Sequence, residues 1–309
     1  MSSVTATPAA TTVRCPGCDA EADSPEVLLR GHDRLTGAPG RFSVVSCPGC
    51  GLAFTEPRLA PEDFGTYYPE TYSAYEPNAR PQASLGERVG ALSRELLVRH
   101  GPYRNIWRRS PGRLLDVGCG TGDLTAVFAR QGWQAFGIEP SEQAARHARA
   151  AGVEVVIGTL ADAPWAEGSF DAVVFNHSLE HIDNPVETLA LAGRLLRPGG
   201  VLTIAVPNFG SWHRRAFGSA WFQLDLPRHL QHFDRDSLAG VVRRAGLRPV
   251  STSTISMRPS LLASIQYLAF DSMRFGGRRV RLLEWALAPL LLLSDRIGKG
   301  DCLHLTAER

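Results

Sequence analysis

The middle of the chain constrains the fold most, because short apolar runs alternate there with amphipathic segments. Between residues 112 and 208, five apolar runs of strand length are separated by segments whose apolar residues recur at helical spacing. This alternation is typical of βαβ units, which build a parallel sheet with helices on both faces. The sequence therefore predicts a doubly wound α/β sheet in this region.

A glycine-rich loop follows the first predicted strand. The run Leu114–Gly122 has the sequence LLDVGCGTG, so that Gly118, Gly120 and Gly122 lie between a strand and a helix, and Glu139 ends the next strand. Glycines let the backbone approach a ligand closely. A carboxylate at the end of the second strand can accept hydrogen bonds from both ribose hydroxyls. This pattern predicts an adenosine-binding site at the carboxyl edge of the sheet.

The glycine spacing distinguishes between cofactors that contain adenosine. Dinucleotide-binding loops carry G-x-G-x-x-G, and the helix that follows receives a pyrophosphate. Here the loop is G-x-G-x-G, and Asp116 precedes it. A carboxylate in this place repels a pyrophosphate but suits the cationic ammonium group of S-adenosylmethionine. The loop therefore predicts S-adenosylmethionine as the cofactor.

Several motifs in register resemble those of the class I S-adenosylmethionine-dependent methyltransferases. They are Asp116–Gly122, Ile138–Ser141, Gly168–Asp171, Leu179–His181 and Leu196–Gly200. The resemblance implies a Rossmann-like sheet of seven strands whose last strand is antiparallel. On this basis we expect Leu247–Thr254 and Cys302–Thr306 to form the final hairpin.

The same resemblance implies a set of cofactor-binding residues. Those expected at the methionine end are Asp116, Gly118, Gly120 and Gly122, with Glu139 at the ribose and Asn176 at the sulfonium side. Members of the family often carry an aspartate directly after the glycine that follows the third strand, where it contacts adenine. In this sequence Thr159 follows Gly158, and Asp162 lies further along. The sequence therefore departs from the family at the adenine contact.

Two identical C-x2-C pairs precede the α/β region. Cys15 and Cys18 form one pair and Cys47 and Cys50 the other, and each pair encloses Pro-Gly. Such tight turns can direct four thiolates at one tetrahedral zinc ion, which predicts a closed structural site in a small zinc ribbon. Four unrelated thiols are the alternative. A redox dithiol is disfavoured because neither pair opens a helix in a thioredoxin-like context.

These patterns divide the chain into segments. We expect a disordered lead-in over 1–13, a zinc ribbon over 14–60, a helical connector or lid over 61–110, and a methyltransferase domain over 111–309 with an insertion at 255–300. In the connector, four tyrosines are expected either to cover the cofactor pocket or simply to pack; they are Tyr67, Tyr68, Tyr72 and Tyr75. The apolar stretch 261–293 would cover an oily substrate, contact a membrane surface peripherally, or pack on the core.

Histidines are the candidate bases for the reaction. Methyl transfer is an in-line displacement that needs a base only when the nucleophile carries a proton. His181 follows the fourth strand, at the edge where ligands bind in this fold. His229 lies in a stretch similar to the one that carries a histidine base in zinc-ribbon sugar C-methyltransferases, although Arg228 replaces the acid before that histidine. A purely structural role is the alternative for both histidines.

Arg228 is expected to bind an anionic substrate group or to form a surface ion pair.

Two further histidines, His177 and His232, are candidates. His177, Glu180 and His181 have i, i+3 and i+4 spacing, and some quinone-pathway O-methyltransferases are similar here, with acidic residues proposed to hold a divalent ion. Because His177 replaces one of those acids, no catalytic metal is predicted. His232 is a further candidate base in the same stretch as His229.

Charge disfavours nucleic acid as the substrate. The net charge of the 309-residue chain is +2, and residues 15–50 contain only Arg30, Arg34 and Arg41 as cations. We therefore predict methylation of a small molecule, such as a sugar nucleotide, a glycan precursor or a secondary metabolite. One alternative is a ribosomal-RNA base methyltransferase whose ribbon binds RNA, and another is a non-enzymatic interaction protein that keeps the cofactor pocket.

The compartment is predicted from the start of the chain and from the cysteines. Residues 1–13 lack the apolar and basic regions of an export signal. Paired cysteines that suit metal binding are typical of a reducing compartment. The expected location is the cytoplasm, and the sequence leaves the oligomeric state open.

Overall fold

A computed structural model describes residues 12–59, 63–69, 101, 103–273 and 291–309. The strands are β1 (Thr12–Arg14), β2 (Glu21–Asp23), β3 (Glu26–Gly31), β4 (Phe42–Ser46), β5 (Ala53–Glu56), β6 (Arg113–Val117), β7 (Gln134–Glu139), β8 (Glu154–Ile157), β9 (Phe170–Asn176), β10 (Leu196–Pro207), β11 (Gln231–His232), β12 (Arg248–Ile255) and β13 (Cys302–Glu308). The helices are α1 (Phe64–Tyr67), α2 (Arg104–Trp107), α3 (Asp123–Arg130), α4 (Glu142–Ala150), α5 (Pro185–Leu195), α6 (Trp212–Phe217), α7 (Arg235–Arg244), α8 (Arg258–Phe270) and α9 (291–296).

Seven strands form the central sheet in the order β12-β13-β10-β9-β6-β7-β8. Strands β6 to β10 pair in parallel, whereas β13 is antiparallel to both β10 and β12. The predicted Rossmann-like sheet with an antiparallel last strand is confirmed, and β12 and β13 are the predicted hairpin strands. The predicted turn at Arg197–Gly200 lies within β10, where the pairing with β9 shifts register between Leu196 and Val201.

The inner strands are almost continuously apolar because helices cover both faces of the sheet. Leu114 and Leu115 are consecutive in β6 yet both fully buried, one packing in each of two different core clusters. The first helix turn after β7 is fixed by a side-chain cap. The Ser141 hydroxyl accepts a hydrogen bond from the Ala144 amide at the start of α4. The carboxyl ends of β6, β7 and β9 therefore meet at one edge, from which the predicted site residues project.

The N-terminal residues form two smaller sheets. Strands β1 and β2 pair as a two-stranded ribbon, and a four-stranded antiparallel sheet has the order β11-β5-β4-β3. Strand β11 comes from the methyltransferase region, far along the chain from β5. The predicted boundary at residue 60 is therefore crossed by a hydrogen-bonded strand pair.

Parts of four predicted segments lie outside the described residues. They are residues 1–11 of the lead-in, 60 of the zinc ribbon, 61–62, 70–100 and 102 of the connector with Tyr72 and Tyr75, and 274–290 of the insertion. Within the described part of the lead-in, Thr12–Arg14 is strand β1. The remaining segment limits stay predictions.

Apolar side chains are exposed on the described ends of the insertion. They include Leu268 and Phe270 on α8, and Leu292, Leu293 and Ile297 in and after α9. Across the residues that the structure covers, helices are too short or too polar to cross a bilayer. Peripheral membrane contact through 261–293 stays a prediction.

Candidate functional site

The loop between β6 and α3 has a backbone conformation that requires glycine. Gly118, Gly120 and Gly122 have φ angles of 71°, 54° and 78°, in the left-handed region that side chains disfavour. A Cβ atom on Gly118 would lie 2.5 Å from the Ser178 Cβ, and one on Gly122 would lie 2.9 Å from the Ala148 Cβ. The loop thus passes close to two other segments at the carboxyl edge of the sheet, where Gly118 and Gly120 are half-buried.

The Glu139 carboxylate is fixed below this loop. Its Oε2 accepts a hydrogen bond from the Gly120 amide at 3.0 Å, and its Oε1 accepts one from the Ser141 amide at 2.9 Å. Burial raises the pKa of Glu139, and the two backbone hydrogen bonds oppose that shift. Each carboxylate oxygen retains a second lone pair, which can accept from a ribose hydroxyl.

Asp116 is a buried carboxyl group with one unpartnered oxygen. Its Oδ2 accepts a hydrogen bond from the Thr125 hydroxyl at 2.7 Å, while Oδ1 has no hydrogen-bond partner among the described residues. Burial, opposed by Thr125 and reinforced by the nearby Glu139, raises the pKa of Asp116 to about 7. A cationic group placed near Oδ1 would compensate this burial of a carboxylate.

Asn176 ends strand β9 at the same edge of the sheet. Its Oδ1 accepts a hydrogen bond of 2.5 Å from the Tyr103 hydroxyl. Tyr103 is buried, with its ring edge-on to those of Phe128 and His304. Tyr103, which directly precedes α2, was not predicted, because a single aromatic residue is usually a packing residue.

His181 and His229 meet face to edge, with ring centroids 4.7 Å apart. The Nδ1 of His181 lies 3.0 Å from the carbonyl oxygen of Arg228, and the Nδ1 of His229 lies 2.9 Å from that of Gln223. Because a carbonyl oxygen only accepts, both Nδ1 atoms carry the proton, and we assign the lone pair of each neutral ring to Nε2. Both predicted bases thus present an acceptor nitrogen at the sheet edge.

Glu180 lies beneath the two histidines. Its side chain is fully buried, and neither carboxylate oxygen has a hydrogen-bond partner among the described residues. Oε1 is 3.4 Å from His177 Nδ1 and 3.9 Å from His229 Nε2. Burial raises the pKa of Glu180, but the imidazoles of His177, His229 and His181 outweigh it, so the pKa is lowered overall. The group is therefore a carboxylate at neutral pH.

These three side chains form a set that could also hold a metal ion. The ligand atoms of Glu180, His181 and His229 lie within 4.8 Å of one another. Histidine ligands whose other nitrogen donates to a carbonyl are typical of metal sites. His177, predicted at the start of this motif, instead points its Nε2 at the Cys302 thiol, 3.4 Å away.

Comparisons with known proteins identify the family of the chain. A family model described as "Methyltransferase domain" matches residues 87–252, which is more than half of the chain. The chain belongs to this methyltransferase family. Two relatives are named ubiquinone biosynthesis O-methyltransferase. The one from Ralstonia nicotianae is 32% identical over 181 residues, covering 51% of this chain and 74% of the relative. The one from Cereibacter sphaeroides is 31% identical over 159 residues, covering 48% and 64%.

Solved structures share the fold of this methyltransferase. The geranyl diphosphate C-methyltransferase of Streptomyces coelicolor has a TM-score of 0.51 and 18% identity, covering 82% of this chain and 99% of that chain. A methyltransferase from Archaeoglobus fulgidus has a TM-score of 0.50 and 18% identity, covering 71% and 94%. At this identity the likeness concerns the fold alone. With the family match and the relatives, the predictions of S-adenosylmethionine as methyl donor and of a small-molecule acceptor are confirmed.

The four paired cysteines of the methyltransferase come together at its N-terminus. The sulfur atoms of Cys15 and Cys50 are 3.6 Å apart, as are those of Cys18 and Cys47, and all four lie within 4.8 Å of one another. All are free thiols. In a tetrahedral site with zinc–sulfur bonds of about 2.3 Å, sulfur atoms are about 3.8 Å apart. The cluster therefore fits the predicted zinc site.

Arg228 differs from both expectations, because it is neither at the surface nor available to a substrate phosphate. Its guanidinium group is fully buried and forms ion pairs with Asp33 and Asp225, at 2.7 and 2.6 Å.

The tyrosines of the connector divide into two kinds. The Tyr67 hydroxyl donates to the carbonyl of Pro39 at 2.6 Å, in a packed position, whereas the Tyr68 hydroxyl lies 3.1 Å from His181 Nδ1.

Proposed function

We propose that this methyltransferase transfers the methyl group of S-adenosylmethionine to a hydroxyl oxygen of a small metabolite, with His229 as the base. The observation that carries the proposal is the 2.9 Å contact of His229 Nδ1 with the Gln223 carbonyl, which leaves Nε2 as the acceptor nitrogen, 3.9 Å from the buried Glu180 carboxylate. The names of the relatives, which specify O-methylation in ubiquinone biosynthesis, support oxygen as the acceptor atom.

In this proposal the loop after β6 holds the cofactor. The Glu139 carboxylate accepts from the ribose hydroxyls, and the unpartnered Oδ1 of Asp116 faces the ammonium group. Gly118, Gly120 and Gly122 line the methionine end, and Asn176 lies at the sulfonium side. The Ser178 hydroxyl donates to the Val117 carbonyl at 2.5 Å, so the segment that leads to Glu180 and His181 adjoins the loop after β6.

In the proposed reaction, His229 acts as the base and Glu180 stabilises the imidazolium that results. His229 Nε2 takes the proton of the acceptor hydroxyl while its oxygen attacks the methyl carbon in line with the sulfonium. The carbon–oxygen bond forms as the carbon–sulfur bond breaks, and S-adenosylhomocysteine leaves. The Glu180 carboxylate stabilises the resulting imidazolium, and Nδ1 stays bonded to the Gln223 carbonyl throughout.

A second mechanism uses the same side chains as metal ligands. If Glu180, His181 and His229 bind a divalent ion, that ion would bind the acceptor hydroxyl and favour its ionised form. Glu180 favours this mechanism, since its two buried oxygens have no hydrogen-bond partners among the described residues. The two mechanisms are separated by measuring activity after chelation and after return of Mg²⁺ or Zn²⁺.

The four cysteines are proposed to bind one structural zinc ion. Elemental analysis of the purified protein should find one zinc per chain, and Cys18→Ser should lower this value. A full zinc content in that variant would mean that the ion binds elsewhere.

The experiment for the proposed function uses S-adenosylmethionine labelled on its methyl group. Purified protein is incubated with host-cell extract, and the products are separated into acid-precipitated and soluble fractions. We expect alkali-stable label in a soluble compound, formed at least about 100-fold more slowly with His229→Gln. Such a compound tests the acceptor classes predicted above, including sugar nucleotides and glycan precursors. Ribonuclease-sensitive label in the precipitate would contradict the proposal and favour an RNA substrate.

A further inference from the structure

The sheet of the N-terminal module is completed by a strand that begins directly after the candidate base. Strand β11 pairs with β5 so that Gln231 lies opposite Phe54 and His232 opposite Ala53. His229 is separated from this strand by a single residue. The N-terminal module (residues 12–59) and the loop that carries the candidate base therefore share one hydrogen-bonded ladder.

Thr55 of the N-terminal module contacts the backbone of His229. Its hydroxyl donates to the carbonyl oxygen of His229 at 2.7 Å and lies 2.9 Å from His232 Nε2. Its amide donates to the carbonyl oxygen of Leu230 at 3.0 Å. Thr55 is fully buried, so water does not compete for these hydrogen bonds.

An ion pair holds the same loop from its other side. Arg228 donates from both terminal nitrogens to Asp33, at 2.7 and 3.0 Å, although the two residues are 195 positions apart in the chain. Asp33 also accepts hydrogen bonds from the amides of Leu35 and Thr36. Both charged groups are buried, where a bidentate pair fixes geometry strongly and an unpaired partner is costly.

The cysteine cluster is adjacent to strand β5, which carries Thr55. The Cys47 amide donates to the carbonyl of Leu52 at 2.9 Å, closing the turn that leads from the cluster into β5. Cys15 and Cys47 pack in one apolar core with Phe54 of β5 and Val241 of α7. A change at the cluster therefore acts on β5, and through β5 on the loop with His229.

We propose that the N-terminal module is a positioning element of the acceptor site. Thr55 and Asp33 hold segment 225–232 so that His229 Nε2 faces Glu180, and the cysteine cluster fixes β5 in turn. The catalytic consequence rests on the proposed function of His229, whereas the positioning itself does not.

The first test measures hydrogen–deuterium exchange in the full-length protein. Thr55→Val removes the hydroxyl but keeps the side-chain shape, and Thr55→Ser keeps the hydroxyl. Loss of a buried hydrogen bond should speed exchange in segment 225–232 about five- to tenfold in Thr55→Val. Thr55→Ser should match the wild type, as should Thr12→Val, which removes an exposed hydroxyl of the same module. Segment 134–139 serves as the internal reference.

The second test measures the rate of label transfer into the soluble acceptor fraction. We expect about a tenfold lower turnover in Thr55→Val, with unchanged affinity for S-adenosylhomocysteine and rescue by Thr55→Ser. A purely structural role would lower the fraction of protein that binds S-adenosylhomocysteine instead. Wild-type exchange and turnover in Thr55→Val would overturn the positioning role. Faster exchange in Thr55→Val together with full activity of His229→Gln would leave positioning intact and refute the proposed function.

The third test concerns the cysteines. Cys50→Ser should speed exchange in segment 225–232 as well as within residues 12–59. Faster exchange confined to residues 12–59 would overturn the proposed link between the cluster and the acceptor site.

Discussion

The two halves of the candidate site are built in different ways. The cofactor half (Asp116–Glu139) is one continuous segment in which backbone turns place two carboxylates. The acceptor half (Glu180, His181 and His229) joins side chains from two separate loops, and its histidines are oriented by carbonyl groups as far as 47 positions away in the chain. The first half depends on backbone geometry that glycine permits, and the second depends on tertiary contacts.

The halves also differ in their electrostatics. Burial raises the pKa values of Asp116 and Glu139, so the cofactor half favours a cationic ligand. In the acceptor half, the neighbouring imidazoles lower the pKa of the buried Glu180 carboxyl, and His177, whose own pKa is raised, contributes most to this lowering. Cofactor binding and proton removal should therefore respond to different substitutions.

The largest effect is expected from His229→Gln in the acceptor half. Loss of a positioned general base lowers rates by about 100- to 10,000-fold. S-adenosylhomocysteine affinity, measured by calorimetry, should change less than about twofold, because the described contacts of the His229 ring are with Gln223, His181 and Glu180. Turnover is measured with the acceptor identified by methyl labelling.

The control for that prediction is His147→Gln, a half-buried histidine on α4. It should leave both turnover and cofactor affinity unchanged. If His229→Gln weakens cofactor binding as much as it slows turnover, the two halves are not separable and His229 has a structural role.

A smaller effect is expected from Gly118→Ala in the cofactor half. The added methyl group would lie 2.5 Å from the Ser178 Cβ, at a φ of 71°. Overlap of this kind costs about 1–3 kcal/mol, which should weaken S-adenosylhomocysteine binding about 10- to 100-fold.

Gly152→Ala is the matched control, because Gly152 has a φ of 85° with no atom within 4 Å of the added Cβ. It carries the same backbone strain without the overlap, and it should keep cofactor affinity. Equal loss of affinity in both variants would show that general strain, and not the close approach to Ser178, explains the effect.

The sequence predicted the cofactor half better than the acceptor half, for a physical reason. A glycine loop between a strand and a helix, with Glu139 on the next strand, is a local pattern that fixes its own geometry. Arg228 shows the opposite case, since its partner Asp33 lies in a different module, and nothing in the sequence near Arg228 indicates that it is buried. Tyr103 is similar, because its hydrogen bond to Asn176 depends on how α2 packs.

The fold shows the same division. The apolar runs of β6 to β10 were predicted from periodicity, which reports burial directly. The hairpin strands β12 and β13 were predicted from the resemblance to the methyltransferase family. Strand β11 was not predicted, because two residues, Gln231 and His232, carry no periodicity. It forms only because β5 offers an unpaired edge.

The smallest effect is expected from pH acting on the cofactor half. In the folded protein without cofactor, the pKa of Asp116 is raised to about 7. In the unfolded chain, the same group has the ordinary, lower pKa of an aspartate. Between these two pKa values the folded protein holds a proton on Asp116 and the unfolded chain does not. This group therefore lowers stability as pH rises between these two pKa values. A cationic ammonium favours the ionised carboxylate, so the affinity for S-adenosylhomocysteine should rise about tenfold from pH 6 to pH 8.

Calorimetric titrations across this range test the prediction, with Asp116→Asn as the decisive variant and exposed Asp236→Asn as its control. Asp116→Asn should bind with an affinity that changes little with pH, whereas Asp236→Asn should follow the wild type. A wild-type affinity that is flat between pH 6 and pH 8 would show that Asp116 Oδ1 does not face the ammonium group. The contrast between the halves would then rest on the glycine loop and Glu139, with Asp116 serving mainly to hold Thr125 at the start of α3.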